Sequence, residues 1–161
     1  MILESEIKYV KEYLKTIREL KREKFHLIEE YNDLPEPHSP SLEENRGTPV
    51  SQITWLNDYT QRKELLSNKI TLFSQHIDNF LLCTVLLTSR QRQIIYTYLD
   101  AFTYAEMIQK LEDKYYISIS TYKRELPEIC LALAPFLQDQ EMPTLEKVNQ
   151  EFYEKYMKNM E

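Results

Sequence analysis

At 161 residues and 19.5 kDa, with 42% hydrophobic residues, the chain is sized for one compact domain with a substantial core, or a small domain carrying a helical arm. Its single glycine, Gly47, excludes glycine-rich phosphate loops and hairpin-rich β folds, and an aromatic content of 12%, twelve tyrosines included, excludes a disordered profile. The net charge of −6 is unevenly spread: residues 88–138 hold six basic and six acidic side chains while both flanks are acidic, so this segment is the one best suited to approach phosphates.

From Glu4 to about Tyr31, apolar residues recur at Ile7, Val10, Leu14, Ile17, Ile28 and Tyr31, three and four residues apart, and Leu20, Leu27 and Leu34 widen the stripe. This predicts a long helix with a packing face, weakened midway by Lys21 and Lys24. Asn32 to Pro49 collects four prolines and the lone glycine and predicts a loop, with His38 a solvated member of it. Val50 to about Leu87 resumes helical spacing through Ile53, Leu56, Leu66, Ile70, Phe73, Ile77 and Phe80, with Ser51 a candidate cap. Two long helices flanking such a loop predict an antiparallel hairpin, paired within one chain or between two in a dimer.

After Leu87 the pattern shortens. Thr88 or Ser89 caps a helix whose inward face is Ile94, Ile95, Tyr98 and Leu99, and Asp100 to Phe102 breaks it. Thr103 caps a second helix carrying Tyr104, Met107, Ile108 and Leu111, and Glu106 three residues on predicts a capping box. Ser118 or Ser120 opens a third, through Thr121, Tyr122, Lys123, Arg124 and Leu126. Pro127 predicts a kink or restart, after which Ile129, Leu131, Leu133 and Phe136 pack back on the bundle and Pro135 limits the helix. Beyond Pro143, Leu145, Val148, Phe152 and Tyr156 predict one more helix. The expected fold is all-α: a helical hairpin or coiled-coil arm over 1–87 for dimerisation, a compact helix-turn-helix bundle over 88–138, and a helical tail over 139–161.

Chemistry other than binding finds little support. His26, His38 and His76 show no HxxxH or HExxH spacing, and adjacent acids such as Glu112 and Asp113 splay to different faces of a helix, so neither a metal site, a cofactor nor an acid–base pair is expected. Cys83 and Cys130 sit in apolar helical contexts and read as small buried hydrophobes. The longest apolar stretch, Phe80 to Leu87, is interrupted by Cys83 and Thr84, and the opening Glu4, Glu6 and Lys8 are unlike a secretory signal. The expectation is a cytoplasmic, non-enzymatic protein without a membrane partner.

The segments LTSRQRQIIYTYLDAFTYAEMIQKL and ISISTYKRELPEICLALAPFL carry a likeness to known proteins. They resemble the helix-turn-helix of sigma factor region 4 and, more closely, the ArpU and RinA group of phage and prophage late-gene regulators. The string from Ile117 to Arg124 carries most of it, and KEYLKTIRELKREK, a proline-containing loop ending RGTP and a second long helix follow the group's layout, so the likeness covers most of residues 8–137. One departure is plain: where the usual turn is brief and glycine-bearing, Glu112 to Tyr116 adds about four residues, or one helical turn, without glycine.

The resemblance implies a sequence-specific DNA-binding transcriptional regulator in a bacterial host. Its partners would be double-stranded DNA and further copies of the chain, in a homodimer or a higher homo-oligomer, with direct contact to RNA polymerase left open. A helix entering the major groove offers its first residues to base edges and its amide end to phosphate. Ser118, Ser120 and Thr121 suit both, Lys123 and Arg124 suit phosphate or guanine, and Tyr122 either packs inward or touches sugar or a thymine methyl. Thr103, Tyr104, Lys114, Arg90 and Arg92 are candidate backbone contacts. Two other readings stand beside it: a protein-interaction module docking on RNA polymerase or another regulator, and a small DNA-packaging recognition subunit.

Overall fold

The computed structural model describes residues 2–34 and 49–160, with side chains from 3 to 34 and from 56 to 160; His38 lies outside the described residues, and Ser51, expected to cap the second helix, stands inside its first turn rather than ahead of it. The fold is all-α, with no strand among the described residues. Helix α1 spans Ile2–Asp33 and α2 spans Pro49–Cys83, opening on a proline whose missing N–H costs nothing in a first turn. A 3-10 turn, Thr84–Leu86, leads into α3 (Ser89–Asp100), α4 (Tyr104–Tyr115) and α5 (Ile119–Leu137). Last comes α6 (Leu145–Phe152), continued by a π turn, Tyr153–Met157, and a short 3-10 turn.

The hairpin is antiparallel and forms within one chain. Tyr13 stacks on Phe80 at one end (centroids 5.9 Å apart), and the Lys63 ammonium lies 4.8 Å from the Tyr31 ring centre at the other. Along α1 the stripe Val10, Tyr13, Leu14, Ile17, Leu20 and Leu27 is buried, so Leu27 rather than Ile28 faces the core. Leu56, expected on the packing face of α2, is exposed, because the pairing register places it beyond the last residue of α1.

The same α1 also packs on α3, α5 and α6. One core therefore runs from Val10 through Phe73, Phe80, Ile94, Leu111 and Leu133 to Phe152, across both segment boundaries drawn from the sequence. The C-terminal tail closes this bundle: Val148 and Phe152 are buried, and His76 on α2 meets the Glu151 carboxylate at 2.8 Å. Burial alone would raise the Glu151 pKa, yet hydrogen bonds from His76 and Lys155 outweigh it and hold the carboxyl below its usual range.

Helix starts follow the sequence closely. Thr88 and Gln91 form a reciprocal capping box over α3 (3.2 and 3.1 Å), and Thr144 caps α6. Helix α5 departs from expectation twice: it does not restart at Pro127, and Phe136 does not face inward. It runs unbroken through Pro127 and Pro135, with the carbonyl deprived by Pro127 belonging to exposed Lys123, where water can replace the lost bond. Phe136 is exposed because Ile129, Cys130, Leu133, Ala134 and Leu137 define the inward face, and Phe136 lies roughly 90° from its centre at 100° per residue.

Candidate functional site

Three basic residues of α1 hold the turn that aims α4. Arg18 Nε donates to the Ala101 carbonyl at 3.1 Å, and its guanidinium lies 5.0 Å from the centre of the Tyr98 ring. Arg22 donates to the Phe102 carbonyl and, at 3.5 Å, to that of Ala101, while Lys21 pairs with Asp100. Phe25 and Phe102 meet edge to face beside them. The lysine that interrupts the α1 stripe thus stands where α1 crosses the α3–α4 turn. The spacing of α1 marks Lys21 only as a polar break in the stripe and gives no sign of Arg18 or Arg22.

From that turn Thr103 caps α4 by accepting the Glu106 N–H (3.1 Å). The Glu106 carboxylate returns to the Phe102 N–H, one residue before the cap, rather than to Thr103 as a strict capping box requires. Lys110 and that N–H hold the half-buried Glu106 carboxyl below its usual pKa.

Helix α4 runs to Tyr115, one turn longer than a brief helix-turn-helix connection allows, as the extra residues suggested. Tyr116 then turns left-handed (φ 58°, ψ 35°), its N–H donating to Glu112, and Ile117 donates to the Leu111 carbonyl at 2.9 Å while burying its side chain. Ser118 opens α5 by accepting the Thr121 N–H (3.2 Å), and the two hydroxyls are 3.1 Å apart.

The residues proposed to read DNA divide into three groups. Ser118, Ser120, Lys123 and Arg124 are exposed on the first two turns of α5, Thr121 is half-buried, and neither Lys123 nor Arg124 has an ion-pair or hydrogen-bond partner among the described residues. Thr103, Tyr104 and Lys114 are exposed along α4, with the Lys114 ammonium 5.3 Å from the Tyr115 ring centre. Arg90 is exposed and Arg92 half-buried at the start of α3, joined to the α5 start by no described contact.

Tyr122 is a correction: it takes the inward option. Only 6% exposed, it packs edge to face on Tyr104 (6.2 Å), and burial, reinforced by Tyr98, Tyr104 and Cys130, pushes its phenol up to about 12. It supports the helix and is withdrawn as a contact to sugar or base.

Between α4 and the start of α5 lies an open cleft. Tyr104, Ile108 and Ile119 give it an apolar floor, and Glu112 and Asp113, neither ion-paired among the described residues, give it an acidic edge. Among the described residues no group of three His, Cys, Asp or Glu is placed to hold a metal ion. No helix there is long and apolar enough to cross a membrane. The chain matches no family model, no curated protein and no solved structure.

Proposed function

We propose that the protein is a non-enzymatic, sequence-specific DNA-binding transcriptional regulator, with α5 as its recognition helix. The carrying observation is the first two turns of α5, where Ser120, Lys123 and Arg124 face solvent and both cations are unpaired among the described residues. Amide groups at a helix start attract phosphate, and the forked guanidinium of Arg124 fits the O6 and N7 acceptors of guanine. Tyr122, anchored inward, fixes the rotation of α5 so that these residues point outward together. The resemblance to the ArpU and RinA group adds the biological setting: a phage or prophage late-gene activator in the cytoplasm of a bacterial host, with RNA polymerase as a further partner.

A dimer, on this reading, uses a different surface from the α1 stripe, which is filled from within the chain. Leu82, Val85 and Leu86, each at least 60% exposed around the end of α2, offer an apolar surface to a second copy. A palindromic operator would follow from two-fold symmetry.

The test is selection of duplexes from a random pool at near-physiological salt, followed by titration of the winning sequence. Lys123→Ala with Arg124→Ala should abolish specific binding and leave folding and oligomer size unchanged. Specific binding that survives both substitutions refutes α5 as the reader.

The cleft beside α5 favours a second reading, a protein-interaction module. Glu112 and Asp113, unpaired among the described residues, repel phosphate but complement a basic partner segment, and Tyr104, Ile108 and Ile119 offer it an apolar seat. Failure of the wild-type protein to select any duplex, while fully folded, would move the assignment there.

A further inference from the structure

A helix that stops in a left-handed residue ordinarily stops at glycine, because a Cβ crowds the backbone there. Tyr116 is the only non-glycine residue at positive φ among the described residues. Nothing in the ending of α4 uses its side chain. The stop is made by its N–H on Glu112, by the N–H of Ile117 on Leu111, and by burial of Ile117, all of which glycine at 116 would preserve.

Nor does packing account for the ring. It is 91% exposed, the most exposed large hydrophobic side chain described, and it has no ring contact, hydrogen bond or ion pair among the described residues. A strained backbone position occupied by a residue that gains nothing inside the fold points to a use outside it.

We infer that Tyr116 is a DNA-backbone contact that positions α5, an inference that rests on the DNA-binding reading of that helix. The residue stands two positions before the Ser118 cap and two after exposed Lys114. When the start of α5 enters a major groove, this connection meets the groove's edge, which is sugar and phosphate rather than base. The phenol O–H donates to a phosphate oxygen, and the ring packs on deoxyribose. Being uncharged, Tyr116 releases no counterion, so it contributes affinity without salt dependence or sequence preference.

The experiment uses full-length Tyr116→Gly and Tyr116→Phe, titrated against the duplex selected by the wild type and against a scrambled duplex, at several salt concentrations. Tyr116→Gly should weaken binding to both duplexes by about tenfold, the scale of a hydrogen bond to a charged group, with salt slope and sequence ranking unchanged. Its melting midpoint should rise by about 2–4 °C as the strain is relieved. Tyr116→Phe should lose part of the affinity and keep the wild-type midpoint.

Wild-type affinity in Tyr116→Gly, beside lost binding in Lys123→Ala with Arg124→Ala, would overturn the inference and leave α5 as the reader; the ring would then belong to a protein contact. A changed sequence ranking in Tyr116→Gly would overturn the backbone assignment. A wild-type protein that binds neither duplex removes the DNA-binding reading and this inference together.

Discussion

Arg18→Ala tests whether α1 holds the α3–α4 turn. The side chain donates to the carbonyl of Ala101, itself 2% exposed, and lies over Tyr98. A hydrogen bond from a charged donor contributes about 1.5–3 kcal/mol and a partly exposed cation–π contact about 0.5–1 kcal/mol. Arg22 offsets part of the loss, since its guanidinium still reaches the same carbonyl at 3.5 Å. The expected cost is therefore about 2–3 kcal/mol, equivalent to a fall of about 4–12 °C in the melting midpoint for a chain of this size. Urea unfolding followed by circular dichroism measures it, with an unchanged slope showing that the compactness of the end states is unaltered. Arg18→Lys keeps the charge and stem but not the forked donor, and should recover about half of the loss. A cost below about 0.5 kcal/mol for Arg18→Ala, the range of an ordinary surface substitution, would refute the clamp.

Ser118→Ala should cost about 1 kcal/mol in chemical unfolding by orphaning the Thr121 N–H, and Ser118→Asn should restore most of it; equal stability of wild type and Ser118→Ala would show the cap to be idle. Alkaline unfolding should be steep, because Tyr13 and Tyr122 have phenols raised from 10.0 to about 12, chiefly by burial. A raised pKa favours the protonated fold, so this stability is complete below pH 10.0 and drains away as pH climbs toward about 12. Phenolate absorbance should lag for these two tyrosines, and Tyr122→Phe should shift the unfolding edge upward; an unmoved edge would count against the assignment. Cys130 is fully buried with its thiol pushed up to about 11, so a thiol reagent should reach it only at the global unfolding rate, after half-buried Cys83 has reacted.

The helices were readable because 3.6-residue spacing and capping side chains are local signals. Thr88, Thr103 and Ser118 announce α3, α4 and α5 within a few residues of chain. The inward course of Tyr122 was also available: Tyr122, Leu126, Ile129 and Leu133 follow one another at intervals of four, three and four, a single helical stripe that Pro127 obscured. The work of Arg18, Lys21 and Arg22 was hidden for a different reason. Their partners lie about 80 residues away, and a basic residue on an apolar stripe looks the same whether it is a flaw in a zipper or a hand on a distant turn. Leu56 was misplaced because periodicity identifies a face without saying whether a partner helix extends that far.

In a short helix-turn-helix the connection itself largely sets the angle between the two helices. Here the connection is unusual, with a helix prolonged to Tyr115 and a left-handed tyrosine in place of glycine, so another constraint must fix α5. Helix α1 supplies it. It packs directly on α5, packs on α3, and clamps the turn from which α4 departs, so the same helix references both α4 and α5. It follows that residues 88–138 do not form an autonomous unit. Cut free of α1, they would lose the donors on the Ala101 and Phe102 carbonyls and the apolar stripe from Val10 to Leu20, and α3 and α5 would expose faces now buried. A change anywhere along the hairpin that tilts α1 must therefore reorient the start of α5, where Ser120, Lys123 and Arg124 stand.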